Sequence, residues 1–316
     1  MPIIDLSLEE LKRYVPPLTK QPDFDEFWRR TIEESAREPL NAEFMSVPYP
    51  VDSVKVFKVF YRGFKGARVC GWYIVPRGRT LCPALLFLHG YSGNKGQVFD
   101  YLGWALQGYA VLAIDVRGQS GESTDPGRYS SGHVTGWMTK GIMSPEEYYY
   151  RGAYIDCIRA LDLLEAREEV DKSRIGVSGI SQGGGLALAT VGLDRRPVLA
   201  MPDIPYLCHF RRGVEISLSG PYLEIVNYLR VYPGNEEAAF RTLSYFDPLN
   251  MAESVACQVL MSVGLRDPVC PPSTVFAVYN RLKCRKELKV YPFTEHEVIG
   301  AHAEEKVRTA KAALKP

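Results

Sequence analysis

Charge of one sign is what this sequence most clearly lacks. Among its 316 residues, 38 Lys and Arg stand against 37 Asp and Glu, a formal net charge of +1. That balance leaves no electrostatic footprint for nucleic acid or anionic lipid, and neither partner is expected. Long apolar runs are missing too. The longest, Pro83 to Leu88, is far short of a bilayer span, so no membrane segment is expected. The seven cysteines (Cys70, Cys82, Cys157, Cys208, Cys257, Cys270 and Cys284) form no C-x-x-C pair. Odd in number and scattered, they read as reduced thiols in a cytoplasmic protein. The first ten residues have neither the basic region nor the apolar core of a signal peptide. No internal repeat or low-complexity stretch occurs. What is present is an ordinary globular composition, 46% hydrophobic and 24% charged, with apolar material for a substantial core. The length suits one large domain with an insertion.

The pattern of apolar residues changes along the chain. The first fifty or so residues are polar and broken by prolines, an N-terminal extension with one amphipathic helix expected over Phe24 to Glu34. Asp23 stands where its N-cap would be. Val54 to Tyr61 alternates in part as a half-buried strand does, and Val69 to Val75 follows across a turn, which predicts an antiparallel pair. Ala84 to Leu88, Tyr109 to Asp115 and Arg174 to Ser178 are continuous apolar runs, as expected of strands buried on both faces. Gln97 to Leu106 has helical spacing between the first two. A long helix is predicted from Ser144, with Pro145 at its first position and Glu147 closing a capping box. The small-residue stretch Gly183 to Thr190 is a closely packing helix. Three more short strands are expected at Val198–Met201, Gln258–Val263 and Leu288–Tyr291. Strand and helix in this alternation predict an α/β fold, with a mostly parallel central sheet flanked by helices. The aromatic-rich segment from 202 to 255 is expected to be a helical cap insertion over the strands' carboxyl ends.

Gly179-Ile180-Ser181-Gln182-Gly183 matches G-x-S-x-G. A chance Gly-Ser turn would give the same five letters. Here, however, a buried strand precedes the pentapeptide and a small-residue helix follows, the context that a nucleophile elbow requires. Ser181 is therefore the expected nucleophile, presented at a helix N-terminus that favours developing negative charge. Its base must be one of five histidines. His296 follows the last expected strand and is favoured over His302, which sits in a C-terminal helical segment. His89 belongs to the Leu88-His89-Gly90 turn, while His133 and His209 lie in loop or cap regions. Asp267, directly after the strand ending at Val263, is the expected acid; Asp203 and Asp247 are alternatives with turn or capping roles. The order Ser181, Asp267, His296 is that of the α/β-hydrolases. The backbone N–H groups of Gln182 and of Tyr91, in the loop after Leu88, are the expected oxyanion donors.

Further residues carry a family resemblance. Arg117-Gly118-Gln119, the elbow with Gln182 after the serine, and His296-Glu297 together resemble carbohydrate esterase family 7, the acetyl xylan esterases and cephalosporin-C deacetylases. Gly136 to Ile142, Tyr148 to Gly152 and Cys208 to Arg212 are similar to its text, and the likeness covers nearly the whole chain. The resemblance implies a serine esterase without metal or cofactor. Its substrates would be small acetylated compounds, including xylo-oligosaccharides and cephalosporin C, and its assembly a ring-like homohexamer. It further implies an acyl pocket of Tyr91, Tyr206, Pro221 and Val269, with Arg117 and Gln119 supporting the active-site loops. Glu297 is either such a support or merely solvated. Another acyl hydrolase (a peptidase or a longer-chain esterase) and a non-catalytic scaffold are the alternatives; the latter usually lacks a triad member.

Overall fold

Two kinds of apolar patterning sort the strands into two zones of one sheet. The computed structural model describes residues 5–316. Its strands are β1 (Glu43–Val47), β2 (Val54–Arg62), β3 (Arg68–Pro76), β4 (Cys82–Leu88), β5 (Ala110–Ile114), β6 (Val170–Ile180), β7 (Leu199–Asp203), β8 (Gln258–Gly264) and β9 (Lys286–Tyr291). They form one sheet in the order β1-β2-β3-β5-β4-β6-β7-β8-β9. The first three are antiparallel to their neighbours, β3 joining β5 with Gly71 opposite Ile114. From β5 onward every pairing is parallel. The continuous runs sit there: all five residues of β5 and of β7 are buried, as a sheet covered on both faces demands. Around the sheet lie an α/β-hydrolase's helices, chiefly Tyr149–Glu165, Gln182–Leu193, Pro272–Arg281 and Gly300–Leu314.

Local expectations fare unevenly. The helix expected with Pro145 at its first position starts four residues late, at Tyr149. Glu147 does not close a capping box on Ser144: its carboxylate accepts from the Ser130 amide and hydroxyl instead, and Ser144 turns to Glu146. Asp23 makes no capping hydrogen bond; it accepts the Tyr245 hydroxyl. Edge strand β1 was not legible in the sequence, because none of its five residues is buried. The chain between β7 and β8 forms the helices Phe210–Ile216, Tyr222–Val231, Glu236–Ser244 and Pro248–Met251. The amides of Leu218 and Ser219 donate to the Pro268 carbonyl, so this segment rests on the loop that follows β8. The N-terminal helix Phe24–Ala36 packs on this segment and on the helix Tyr149–Glu165: Trp28 stacks on Tyr154 and donates to the Tyr245 carbonyl. Among the described residues, no helix is long and apolar enough to cross a membrane.

One buried ion pair ties the loop after β5 to the long helix. Arg117 meets Asp156 with two hydrogen bonds, 2.7 and 2.6 Å, and also donates to the Phe64 carbonyl. Glycines make room for the pair: a Cβ on Gly152 would lie 2.2 Å from the guanidinium, and one on Gly63 would lie 2.1 Å from the carboxylate. Removing one partner strands the other charge in the core. Asp156→Ala is expected to lower unfolding free energy in urea by about 3–5 kcal/mol, while Arg117→Met/Asp156→Leu recovers much of that loss.

Candidate active site

Every candidate site residue but Pro221 follows the carboxyl end of one of six consecutive strands in the parallel zone, where open α/β sheets gather their ligands. Tyr91 follows β4, Arg117 and Gln119 follow β5, Ser181 and Gln182 follow β6, Tyr206 follows β7, Asp267 and Val269 follow β8, and His296 follows β9. Pro221 is just before the helix Tyr222–Val231.

The turn at Ser181 is made by exclusion. Ser181 takes φ 55° and ψ −116°, a backbone state that costs an ordinary residue about 1–3 kcal/mol. A Cβ on Gly179 would sit 2.2 Å from the Gly183 carbonyl oxygen, and one on Gly183 would sit 1.9 Å from the Leu88 carbonyl oxygen. No side chain fits at either position. Outside hydrogen bonds fix the turn: the Ser181 amide donates to the Asp203 carbonyl, and the Tyr206 amide donates to the Ser181 carbonyl, both at 2.9 Å.

The structure brings Ser181, His296 and Asp267 together. His296 Nε2 lies 2.9 Å from Ser181 Oγ, and Nδ1 lies 2.7 Å from Asp267 Oδ2. With Nδ1–H donating to the carboxylate, Nε2 is left as the acceptor that faces the serine. Asp267 is 1% exposed, and its other oxygen accepts the amides of Val269 and Cys270 at 2.9 and 2.8 Å. The carboxylate is thus held by fixed donors rather than by water. Gly264 brings acid and base close, since a Cβ there would meet the Glu295 carbonyl at 2.5 Å. Arg266 donates to the Thr294 carbonyl, joining the two loops.

His133 is exposed, and the remaining candidate histidines and aspartates are occupied elsewhere. His302 is buried between the Tyr291 hydroxyl, 3.1 Å from Nδ1, and Asp203 Oδ1, 2.8 Å from Nε2; Lys306 holds the second Asp203 oxygen. His89 accepts the Val116 amide at Nε2 and donates from Nδ1 to the Gly90 carbonyl, and burial pushes its pKa down. His209 lies beside the Tyr14 hydroxyl, its pKa lowered to about 4 by burial and then by Arg212. Asp247 caps Pro248–Met251 through the Leu249 amide and also accepts the His209 and Phe210 amides. Glu297 is exposed and, among the described residues, makes no side-chain hydrogen bond.

Among the described residues, neither the Gln182 nor the Tyr91 amide has a protein acceptor, so both N–H groups are available to an anion. Gln119 lies between the segments that carry them. Its Oε1 accepts the Ser92 amide at 2.9 Å, while its Nε2 donates to Gln182 Oε1 at 2.8 Å and to the Tyr149 hydroxyl at 3.0 Å. Tyr150 adds a hydroxyl donor to Gln182 Oε1. Arg117 does not touch this cluster with its side chain; only its carbonyl does, through Tyr149.

Of the four expected acyl-pocket residues, Tyr91 and Tyr206 meet edge to face at 6.3 Å, and Tyr206 packs on Tyr222 at 4.2 Å. Tyr206 is fully buried, with its hydroxyl unpartnered. Val269 presses on the chain at Gly220, next to Pro221. A residue that sequence reasoning missed stands beside them: Glu224 accepts the Tyr91 hydroxyl at 2.7 Å. Its partner is 133 positions away, and no local pattern announces such a pair.

Among the described residues, two groups each bring three possible metal-ligand atoms within 4.8 Å: Asp267 with Cys270 and His296, and Cys70 with Asp115 and Glu122. In the first, the carboxylate oxygens are already committed to His296 and two amides. In the second, the Lys95 ammonium supplies the positive charge, 2.8 Å from Asp115 and 2.9 Å from Glu122.

A family profile described as acetyl xylan esterase matches residues 1–313. The acetyl xylan esterase from Paenibacillus sp. R4 is 48% identical, with a TM-score of 0.95 over 98% of this chain and 100% of that one. Acetyl xylan esterase 1 from Thermoanaerobacterium sp. JW/SL YS485 is 34% identical, with a TM-score of 0.94 over 98% and 99% of the two chains. The acetyl esterase Axe7A of Xylanibacter ruminicola is 27% identical over 288 residues, 89% of this chain and 64% of the longer relative.

Gln119→Leu removes the acceptor of the Ser92 amide and the donor to Gln182 while keeping the volume. It is expected to cost about 1–3 kcal/mol of stability, read by urea unfolding, because buried polar groups lose their partners. Ester turnover is expected to fall as well, with the folded fraction intact at room temperature.

Proposed function

The chain belongs to the acetyl xylan esterase family, and from that premise we propose that it is a serine carboxylesterase removing acetyl groups from small acetylated compounds. The observation that carries this reading is the Ser181–His296–Asp267 chain of hydrogen bonds, 2.9 and 2.7 Å long, beside two unpartnered amide donors. His296 Nε2 takes the Ser181 proton as Oγ attacks the acetyl carbonyl carbon. The negative charge formed on the carbonyl oxygen is received by the Tyr91 and Gln182 amides, and Asp267 stabilises the imidazolium. The C–O bond to the alcohol then breaks, the alcohol leaving with the proton from His296. Water attacks the acetyl-serine by the same route, releasing acetate.

The nature of the pocket supports a short acyl group. By the family resemblance Tyr91, Tyr206, Pro221 and Val269 would surround the acetyl methyl, and the Tyr91 and Tyr206 rings meet edge to face at 6.3 Å. Acetylated xylo-oligosaccharides and cephalosporin C are the proposed substrates, on the family resemblance. That resemblance also supports a hexamer whose entrance limits substrate size, which sedimentation tests. Seven unpaired cysteines, six of them buried, favour a reducing, cytoplasmic setting.

Ser181→Ala is expected to lower kcat for acetate release by on the order of a millionfold, leaving KM little changed. In a 4-nitrophenyl ester series, activity is expected to fall steeply from acetate to octanoate. A flat or rising series would favour the longer-chain esterase, and activity retained by Ser181→Ala would remove the serine from the reaction.

A further inference from the structure

Glu224 lies on the helix Tyr222–Val231, within the segment inserted between β7 and β8. Its carboxylate reaches out of that segment to two others. Oε1 accepts the Tyr91 hydroxyl at 2.7 Å, and Oε2 accepts the Met138 amide at 3.1 Å. The Tyr91 hydroxyl in turn accepts the neighbouring Trp137 amide at 2.7 Å. Gly136 wraps the carboxylate closely, with φ 108° and room for no side chain: a Cβ there would lie 2.1 Å from both oxygens. Trp137 packs edge to face on the Tyr91 ring at 5.3 Å. Three stretches of chain thus converge on one side group of the loop that follows β4. Burial pushes the Glu224 carboxyl up, while the hydrogen bond from Tyr91 and the amides of Met138 and Trp137 favour its charged form. A carboxylate surrounded by donors in this way is a rigid acceptor.

We propose that Glu224 is a positioning residue for the oxyanion hole, aligning the Tyr91 backbone amide from the inserted segment. This rests on the acyl-transfer reading above. Gln119 holds the same loop from the other side through the Ser92 amide. The Tyr91 amide therefore lies between two anchors, one on its own side chain and one on the next residue. The physical need is strict, because an oxyanion donor contributes only when it lies about 2.7–3.1 Å from the place where the oxyanion forms. A phenol released from Glu224 lets the Tyr91 side chain change rotamer and carry its backbone with it. The ground-state ester uses this amide less than the transition state does, so loss of alignment lowers kcat rather than raising KM.

The test compares Glu224→Ala, Glu224→Gln, Tyr91→Phe and Glu224→Ala/Tyr91→Phe in the full chain with 4-nitrophenyl acetate, each normalised by active-site titration. An alkylboronic acid, whose tetrahedral adduct on serine places an oxygen in the oxyanion site, is measured alongside. Glu224→Ala and Tyr91→Phe are each expected to lower kcat by about ten- to a hundredfold with KM changed less than about threefold. The boronate Ki rises by a similar factor. Glu224→Gln, which keeps a carbonyl oxygen for the phenol, recovers part of the loss. The double variant is no worse than the poorer single one, since both break the same contact. A folded Glu224→Ala enzyme with wild-type kcat and boronate affinity overturns the proposal, as does a double variant whose losses simply multiply. Should Glu224→Ala not fold, Tyr91→Phe with wild-type kcat and Ki overturns it equally. A wild-type protein that binds boronate but hydrolyses no acetate contradicts the substrate reading and leaves the positioning result standing on Ki.

Discussion

Everything at the carboxyl edge of this sheet is arranged around a serine held at φ 55°, ψ −116°. The turn is possible only because the backbone at Gly179 and Gly183 approaches its neighbours more closely than any Cβ permits. Leu88, at the end of β4, is the wall against which Gly183 packs. The same contact that creates the strain therefore sets where the loop carrying Tyr91 begins. On the other side, the Ser181 amide is held by the Asp203 carbonyl, and the Asp203 side chain is buried against His302 and Lys306 of the last helix. Strain at Ser181 is thus offset by bonds that run through β7 to the C-terminal helix.

A second layer of polar contacts makes this arrangement specific. Gln119 and Gln182 hold each other across the site, and each is bonded by a tyrosine of the 149–165 helix. Arg117, two residues before Gln119, is locked to Asp156 farther along the same helix. One helix thereby braces the loop after β5 at two points, and that loop braces both segments expected to donate to an oxyanion. In such a network every polar atom matters, because a buried donor without an acceptor costs more than the bond itself contributes.

Ser181, Asp267 and His296, which the fold brings together, were legible because they depend on short-range or order-based rules. Gly179 to Gly183 announces its turn through glycines that only a crowded backbone requires. Asp267 could be named because it follows the buried strand β8, and His296 because it follows the last expected strand in the chain order serine, acid, histidine. The middle of the parallel zone was legible through its apolar runs, such as Ala84 to Leu88 and Ala110 to Ile114. What escaped has an equally physical cause. Strand β1 lies at the sheet edge with three of its five residues exposed, and Glu43 to Val47 offers no apolar run to register. Ser144 and Glu147 look like a capping box, yet Ser130 claims the glutamate from seventeen positions away. Glu224 resembles any helical surface glutamate until the fold delivers Tyr91 and Gly136 to it.

Whether acetyl is carried on Ser181 is measured most directly by mass spectrometry of the enzyme quenched during turnover of an acetyl ester. One added acetyl group is expected, mapped to the peptide that contains Gly179 to Gly183 and absent from Ser181→Ala. An acetyl group mapped elsewhere, or turnover by an enzyme that never carries one, would contradict that role for Ser181.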